Sequence, residues 1–213
     1  MKISTTPDGR AILTDISWDT YECLVKNYEN QSTVRLAYND GTLEIMSPLI
    51  KHETDNRGIA AIVETILDVW EWDFVNAGST TFKKNSEAKG FEPDTCFYLN
   101  HLEMVRGKQE IDIEKGDPAP DLVIEIDLTA SSMARNPIFA AIGIPEVWRY
   151  ANGKLTILTL SAGAYVEQTE SVAIPRLTAQ QIQDWLTALS TEKRSVWTKQ
   201  IRRWAEQTVP SEH

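Results

Sequence analysis

The chain has 213 residues, of which 42% are hydrophobic and 24% charged, and its formal net charge is −10. A chain of this kind is expected to fold as one domain over residues 1–213, with a core that needs no disulfide staples. The excess of acidic residues argues against simple nonspecific binding to a DNA backbone. It argues less against a metal-dependent nuclease, because a bound cation locally reverses the field of the carboxylates that hold it.

The N-terminus and the cysteines predict a cytoplasmic protein. MKISTTPDGR lacks the apolar stretch of a signal peptide, and no segment approaches the about 20 apolar residues that span a bilayer. Cys23 and Cys96 lack the spacing of a zinc site, and both are predicted to be reduced and buried.

The first half of the chain predicts a helix, a hairpin and a second, longer helix. The first helix is predicted from Ser17 to Tyr28, with Ser17 as its N-cap. Alternation over Thr33–Tyr38, the turn Asn39-Asp40-Gly41 and the run Thr42–Met46 predict the β-hairpin. The longer helix is predicted from about His52 to Trp72, where apolar residues recur at helical spacing.

The second half predicts further strands and helices. Leu122–Ile126 is a nearly continuous apolar run, as in a strand covered on both faces. A helix is predicted from Ala130 to Ile142, although Pro137 should delay its start. The other predicted strands are Thr80–Lys84, Glu92–Leu99, Glu146–Tyr150, Leu155–Leu160 and Ala164–Gln168, and the other helices are Ala179–Leu189 and Glu192–Gln207. This alternation predicts an α/β fold with a mixed sheet flanked by helices, ending in a helical extension over about 177–208.

The last predicted helix mixes basic residues with tryptophans. Such a mixture would suit contacts with a nucleic acid backbone. The favoured alternative is an amphipathic helix that docks Trp197 and Trp204 on the core or on a partner subunit.

Two Pro-Asp steps at the entries of predicted strands carry the most chemical information. They are Pro93-Asp94 and Pro120-Asp121, and a proline at a strand entry costs no ladder hydrogen bond. Along the second strand, the period of two places Asp121, Glu125 and Asp127 on one face. Such a row needs a shared proton or a cation, and oxygen ligands favour Mg²⁺, Mn²⁺ or Ca²⁺. The alternative, in which these carboxylates cap loops or pair with arginines, stays open here.

These motifs resemble a known family. Their order along the chain is Met46-Ser47-Pro48 before a helix, Pro93-Asp94, the block PDLVIEI from Pro120, and the block GIPEVW from Gly143. This order is similar to that of the putative restriction endonuclease family, formerly a domain of unknown function, which belongs to the PD-(D/E)xK nuclease superfamily. The resemblance covers roughly Leu36–Tyr150. It implies a restriction-endonuclease-like core, Mg²⁺-dependent hydrolysis of DNA phosphodiester bonds and, often, a homodimer.

The resemblance also implies site residues by position. Asp94 matches the Asp of the PD motif, and Glu125 matches the acidic residue of the (D/E)xK element. Asp121 matches an extra Asp that the family places at the start of the same strand. These three are the implied ligands of Mg²⁺ or Mn²⁺, and Glu44 matches another frequently acidic position that would support them.

The resemblance also concerns the long helix and the two positions at which related proteins carry a lysine. Superfamily members commonly supply a further carboxylate from this helix, and here Glu53 or Glu64 is the candidate, with His52 predicted near the site. Asp127 stands where the superfamily motif has a lysine, and Arg135 takes the place of the lysine that many family members supply from the following helix. An arginine can bind a scissile phosphate, but it cannot act as a base because it stays protonated.

Two functions follow from the sequence. The first is a Mg²⁺-dependent endodeoxyribonuclease, in which Asp94, Asp121 and Glu125 bind the metal and Arg135 contacts the phosphate. The alternative is a binding or scaffold protein that keeps the nuclease fold but catalyses the reaction weakly. The acidic net charge and the missing lysine favour this alternative. Binding of a divalent ion, and its loss in Asp94→Asn, would distinguish the two.

Overall fold

The computed structural model describes residues 2–5, 9–28, 34–127 and 133–210. Within these residues it contains six helices and twelve strands, which confirms the α/β fold. The helices are α1 (Trp18–Tyr28), α2 (Ile50–Trp70), α3 (Leu102–Val105), α4 (Asn136–Ile142), α5 (Ala179–Leu189) and α6 (Arg194–Thr208). The strands are β1 (Lys2–Thr5), β2 (Arg10–Thr14), β3 (Arg35–Asn39), β4 (Thr42–Met46), β5 (Val75–Asn76), β6 (Phe82–Lys84), β7 (Lys89–Phe91), β8 (Thr95–Tyr98), β9 (Leu122–Asp127), β10 (Glu146–Ala151), β11 (Lys154–Ser161) and β12 (Ala164–Gln168).

The described strands form two six-stranded sheets. The first sheet has the order β1-β2-β4-β3-β7-β6, and all of its pairs are antiparallel. The second sheet has the order β12-β11-β10-β9-β8-β5 and is mixed, because β9 and β10 are parallel. A parallel pair needs a crossover connection, and α4 lies on the connection between β9 and β10. The predicted mixed sheet is therefore the second one.

Strand β9 is the centre of the molecule, since all six of its residues are buried. Its even-numbered apolar residues pack under α2, α5 and α6, together with the apolar stripe of α2. Val123 points to the opposite side, where it packs with Phe139 of α4 and Phe91 of the first sheet. Alternation therefore directs Glu125 and Asp127 to the side on which the two sheets meet.

Helices α5 and α6 cover the other side of the second sheet. Trp197 of α6 is fully buried, and its indole Nε1 donates a hydrogen bond to the carbonyl oxygen of Trp185 at 2.7 Å. Trp70 of α2 likewise donates from Nε1 to the carbonyl oxygen of Ala205 at 2.9 Å. The C-terminal helix thus docks its tryptophans on the core, as the favoured sequence interpretation expected.

Several boundaries and one burial differ from the sequence-based expectations. The predicted helix over 130–142 begins at Asn136, next to Pro137, and residues 128–132 lie outside the described part of the chain. Helix α2 ends at Trp70 because Glu71 adopts a left-handed conformation with φ 58°. The hairpin of β1 and β2 was not predicted at all. Cys23 is exposed, which corrects the prediction that both cysteines are buried.

Among the described helices, none combines the length and the apolar character that a membrane span requires.

Candidate active site

Asp94 and Glu125 lie side by side where the two sheets meet. Strands β8 and β9 pair with Thr95 opposite Ile124, so that Asp94, immediately before β8, falls beside Glu125. Both side chains are buried, because Asp94 is 5% and Glu125 1% exposed. We call these two carboxylates the acidic centre.

The start of α2 and the end of β9 hold Asp94 in place. Its Oδ2 accepts a hydrogen bond from the backbone N–H of Ile126 at 2.7 Å, and His52 Nε2 lies 3.2 Å from the same oxygen. Its backbone carbonyl accepts a hydrogen bond from Asn56 Nδ2 at 3.1 Å, and the Thr95 hydroxyl donates to Asn56 Oδ1 at 2.9 Å. The aspartate of the first Pro-Asp step is therefore rigidly oriented toward Glu125.

Glu125 has one oxygen with a partner and one without. Arg135 Nη1 donates to its Oε2, whereas the buried Oε1 has no hydrogen-bond partner among the described residues. Burial, helped by the charges of Asp94 and Asp127, raises the pKa of Glu125 to about 8, although Arg135 opposes the shift. Unpartnered buried oxygens are rare in folded proteins. This oxygen therefore marks a place where a proton or a cation would be stabilised.

Arg135 joins the two sheets through an ion-pair bridge. Its Nη2 donates to Oε1 of Glu44 on β4, while its Nη1 donates to Glu125 on β9. Burial opposes the charge of the guanidinium, but Glu125 and Glu44 raise the pKa of Arg135, so it remains protonated. Arg135 thus links Glu44 to Glu125, and its guanidinium is already engaged by two carboxylates rather than exposed to a substrate.

Asp127, at the position of the superfamily lysine, has arginine partners of its own. Arg10 Nη2 lies 2.7 Å from its Oδ1, and Arg149 Nε lies 3.7 Å from its Oδ2. At this junction the described residues include four buried carboxylates and three arginines, namely Glu44, Asp94, Glu125, Asp127, Arg10, Arg135 and Arg149. Because the carboxylates outnumber the arginines by one, the junction carries an excess of buried negative charge, which favours uptake of a proton or a cation.

Asp121 lies apart from the acidic centre. It precedes β9, four residues before Glu125, which corresponds to about 13 Å of extended strand. Its Oδ2 accepts hydrogen bonds from the backbone N–H groups of Leu99 and Asn100 at 2.7 and 3.0 Å, and its Oδ1 lies 2.8 Å from His101 Nδ1. Asp121 is therefore committed to the loop after β8, as the loop-capping alternative proposed.

Removing the Asp121 carboxylate should therefore affect stability rather than metal binding. In Asp121→Ala, the backbone N–H groups of Leu99 and Asn100 lose their acceptor, and that of Leu99 is buried, so the free energy of unfolding should fall by about 1–3 kcal/mol in a urea titration. Binding of Mn²⁺ by the folded variant should match the wild type. Loss of Mn²⁺ binding with unchanged stability would instead return Asp121 to the metal site.

Of the two helix carboxylates, only Glu53 lies near the acidic centre. Its Oε1 is 4.0 Å from His52 Nδ1, and its Oε2 is 3.9 Å from Arg57 Nε, so it remains partly exposed. Glu64 follows His52 by three helical turns, about 18 Å along the axis, and accepts a hydrogen bond from Asn76 at 2.7 Å. Glu64 is therefore not part of this site.

The acidic centre suits a hard divalent cation whose remaining ligands are water molecules and substrate oxygens. Mg²⁺ is commonly held by one or two protein carboxylates, with water and substrate phosphates as the remaining ligands. Asp94 and the unpartnered Oε1 of Glu125 match that description. No group of three or more His, Cys, Asp or Glu side chains is arranged for a metal within the described ranges. Of the three residues predicted as ligands, the structure brings Asp94 and Glu125 together, whereas Asp121 lies elsewhere.

The raised pKa of Glu125 predicts a pH-dependent stability. The folded protein binds more protons than the unfolded chain between the ordinary pKa of 4.5 and the folded value of about 8. The free energy of unfolding should therefore decrease as the pH rises through that window. Urea titrations from about pH 5 to pH 8 should show this decrease in the wild type and a smaller one in Glu125→Gln. Parallel pH profiles for the two proteins would show that Glu125 is ionised normally.

Three residues at this junction had not been identified from the sequence. Arg10 and Arg149 lack any local motif, and Arg10 reaches Asp127 across 117 positions of sequence. Asn56 left a weak signal, since it lies one helical turn after His52 on the same face of α2. Its polar side chain on a buried helix face indicates a positioning role.

A comparison with models of known protein families identifies a match over most of the chain. The family Uma2, described as putative restriction endonuclease, matches residues 18–192. A comparison with curated proteins found no match. The matched range contains α1, both Pro-Asp steps, the acidic centre, Glu44 and Arg135, and it covers most of the chain. The chain therefore belongs to the Uma2 family of putative restriction endonucleases, with a restriction-endonuclease-like core.

Proposed function

We propose that this protein is a divalent-metal-dependent endonuclease that hydrolyses phosphodiester bonds in DNA, with Asp94 and Glu125 as ligands of Mg²⁺ or Mn²⁺. The observation that carries the proposal is the buried, unpartnered Oε1 of Glu125 next to the fixed carboxylate of Asp94. Membership of a family of nucleases supports the reaction class and DNA as the partner. The homodimer and the cytoplasmic location remain predictions from the sequence.

The chain's own residues would prepare the site for such a reaction. The Ile126 N–H holds Oδ2 of Asp94, and Asn56 holds the backbone carbonyl of the same residue, before any ligand arrives, which would limit reorganisation during the reaction. A bound divalent cation would stabilise negative charge on the phosphoryl oxygens and promote ionisation of the attacking water. Arg135 can supply positive charge to a phosphate, but it cannot accept the proton of that water.

A second function is favoured by one specific observation. Arg135 pairs with Glu44 and Glu125 at once, so the chain provides these two acids with a cation of its own. A nuclease fold whose acidic site is partly neutralised by its own arginine would fit a binding or scaffold protein with weakened chemistry. The two functions differ in whether the folded protein cleaves DNA when a divalent ion is supplied.

The test is cleavage of supercoiled plasmid and duplex oligonucleotides with Mg²⁺ or Mn²⁺, with and without EDTA. The nuclease proposal expects metal-dependent nicking by the wild type and none by Asp94→Asn. Asp184→Asn is the matched control, because that carboxylate is exposed on α5 and pairs with Gln180. A wild type that binds Mn²⁺ but leaves DNA intact would favour the second function.

A further inference from the structure

Arg135 and Glu125 form an ion pair in which both partners are incompletely satisfied. Arg135 uses one terminal nitrogen for Glu44 and the other for Glu125, instead of binding either carboxylate with both. Its buried Nε and the buried Oε1 of Glu125 have no hydrogen-bond partner among the described residues. Buried charges that keep unused donors and acceptors are costly. The arrangement is therefore held less tightly than its burial suggests.

The backbone of Arg135 is fixed, while its guanidinium divides its donors between two carboxylates. The Arg135 carbonyl oxygen accepts hydrogen bonds from the N–H groups of Ile138 and Phe139 at 2.9 and 3.1 Å, at the start of α4. The guanidinium is attached through a long aliphatic stem, and it can keep Glu44 while it leaves Glu125.

We infer that Arg135 competes with the divalent cation for Glu125 and thereby sets the metal affinity of the acidic centre. The inference rests on the proposed function, in which Glu125 is a metal ligand. A guanidinium bound to Oε2 and a divalent cation bound to Oε1 would carry three positive charges within a few ångströms of one carboxylate. Metal entry therefore requires Arg135 to release Glu125 and to remain paired with Glu44. The released donors would then be available to a phosphate, for which a guanidinium is well suited.

The competition predicts that removing the guanidinium raises metal affinity. Arg135→Gln should bind Mn²⁺ roughly 5–150-fold more tightly than the wild type, the range usual for coupling between two ligands. Arg135→Lys should fall between the two, because one ammonium cannot bridge both carboxylates. The readout is the rise in melting temperature of each protein as a function of Mn²⁺ concentration, relative to the same protein without metal. A lower baseline stability of a variant therefore does not disturb the comparison.

Arg35→Gln is the matched control. Arg35 is about as buried as Arg135, at 9% against 7% exposure, but its charge acts on Glu92 rather than on Glu125. It should lower stability without changing the concentration of Mn²⁺ that gives half of the effect. Should Arg135→Gln fail to fold, Arg135→Lys decides the question by the same measurement.

The outcomes separate this inference from the proposed function. Tighter Mn²⁺ binding by the Arg135 variants, with unchanged binding by the Arg35 variant, supports the competition. If the wild type binds Mn²⁺ and no Arg135 variant binds it more tightly, the inference is overturned while the proposed function stands. Absence of Mn²⁺ binding in the wild type and in all folded variants overturns both.

Discussion

Replacing Arg135 by methionine is expected to lower the free energy of unfolding by about 3–5 kcal/mol, the usual cost of breaking a buried ion pair from one side. Methionine keeps much of the stem but leaves Glu44 and Glu125 without their shared cation. Both carboxylates are almost fully buried, so water cannot replace the guanidinium. Urea denaturation at about pH 9, above the folded-state pKa of Glu125, measures the loss.

The cause of that loss can be isolated with two comparisons. Adding Glu44→Gln and Glu125→Gln to the methionine variant should restore part of the stability, since no buried charge then lacks a partner. Arg106→Met is the matched surface control, because Arg106 and its partner Asp73 are exposed, and its effect should be slight. A slight effect of Arg135→Met would show that the two glutamates are protonated in the folded protein.

Replacing Glu125 by glutamine should reduce DNA cleavage by more than about a hundredfold. Substituting a residue that merely supports a metal ligand lowers metal affinity or activity by about 10–100-fold, and Glu125 is itself a proposed ligand. The amide keeps the size of the side chain, so the packing around Val123 and Asp94 should persist. Initial rates of plasmid nicking at saturating Mg²⁺ provide the measurement.

Glu167→Gln serves as the control for this substitution. Glu167 lies on β12 with an exposed side chain and contacts Lys154, far along the second sheet from β9. Its variant should cleave DNA at the wild-type rate. Equal rates for Glu125→Gln and Glu167→Gln would show that the acidic centre does not carry the reaction.

The elements around the site could be predicted because their patterns are local. The apolar run of β9 and the helical stripe of α2 each follow one periodicity over many residues, and both are present in the structure. The Pro-Asp step before β8 and the glutamate inside β9 mark a pair whose juxtaposition follows from strand pairing. Asp94 and Glu125 were therefore accessible from the sequence.

Asp121 shows what periodicity cannot supply. Alternation places it on the same face as Glu125, but the position along the strand decides which neighbours it meets. At the beginning of β9 those neighbours are the N–H groups that follow β8, and they bind its carboxylate. The strand face on which Asp121 lies could be predicted, whereas the loop after β8 that contacts it could not.

The partners of Arg135 could not be predicted from the sequence, for a different reason. Its position relative to the family motif drew attention to it, but its contact joins the residue before α4 to Glu44 on β4, 91 positions away in the sequence. Arg10 lies on β2, a strand that no sequence pattern had predicted, and it pairs with Asp127. Long-range ion pairs of this kind depend on how the sheets pack, and no local motif encodes that packing.

The most direct test of the acidic centre is a calorimetric titration of Mn²⁺ into the wild type, Glu125→Gln and Asp121→Asn, without DNA. We expect that the wild type binds Mn²⁺, that Glu125→Gln does not, and that folded Asp121→Asn binds it as the wild type does. Binding that survives in Glu125→Gln, or that disappears only in Asp121→Asn, would contradict the assignment of Asp94 and Glu125 as the metal ligands.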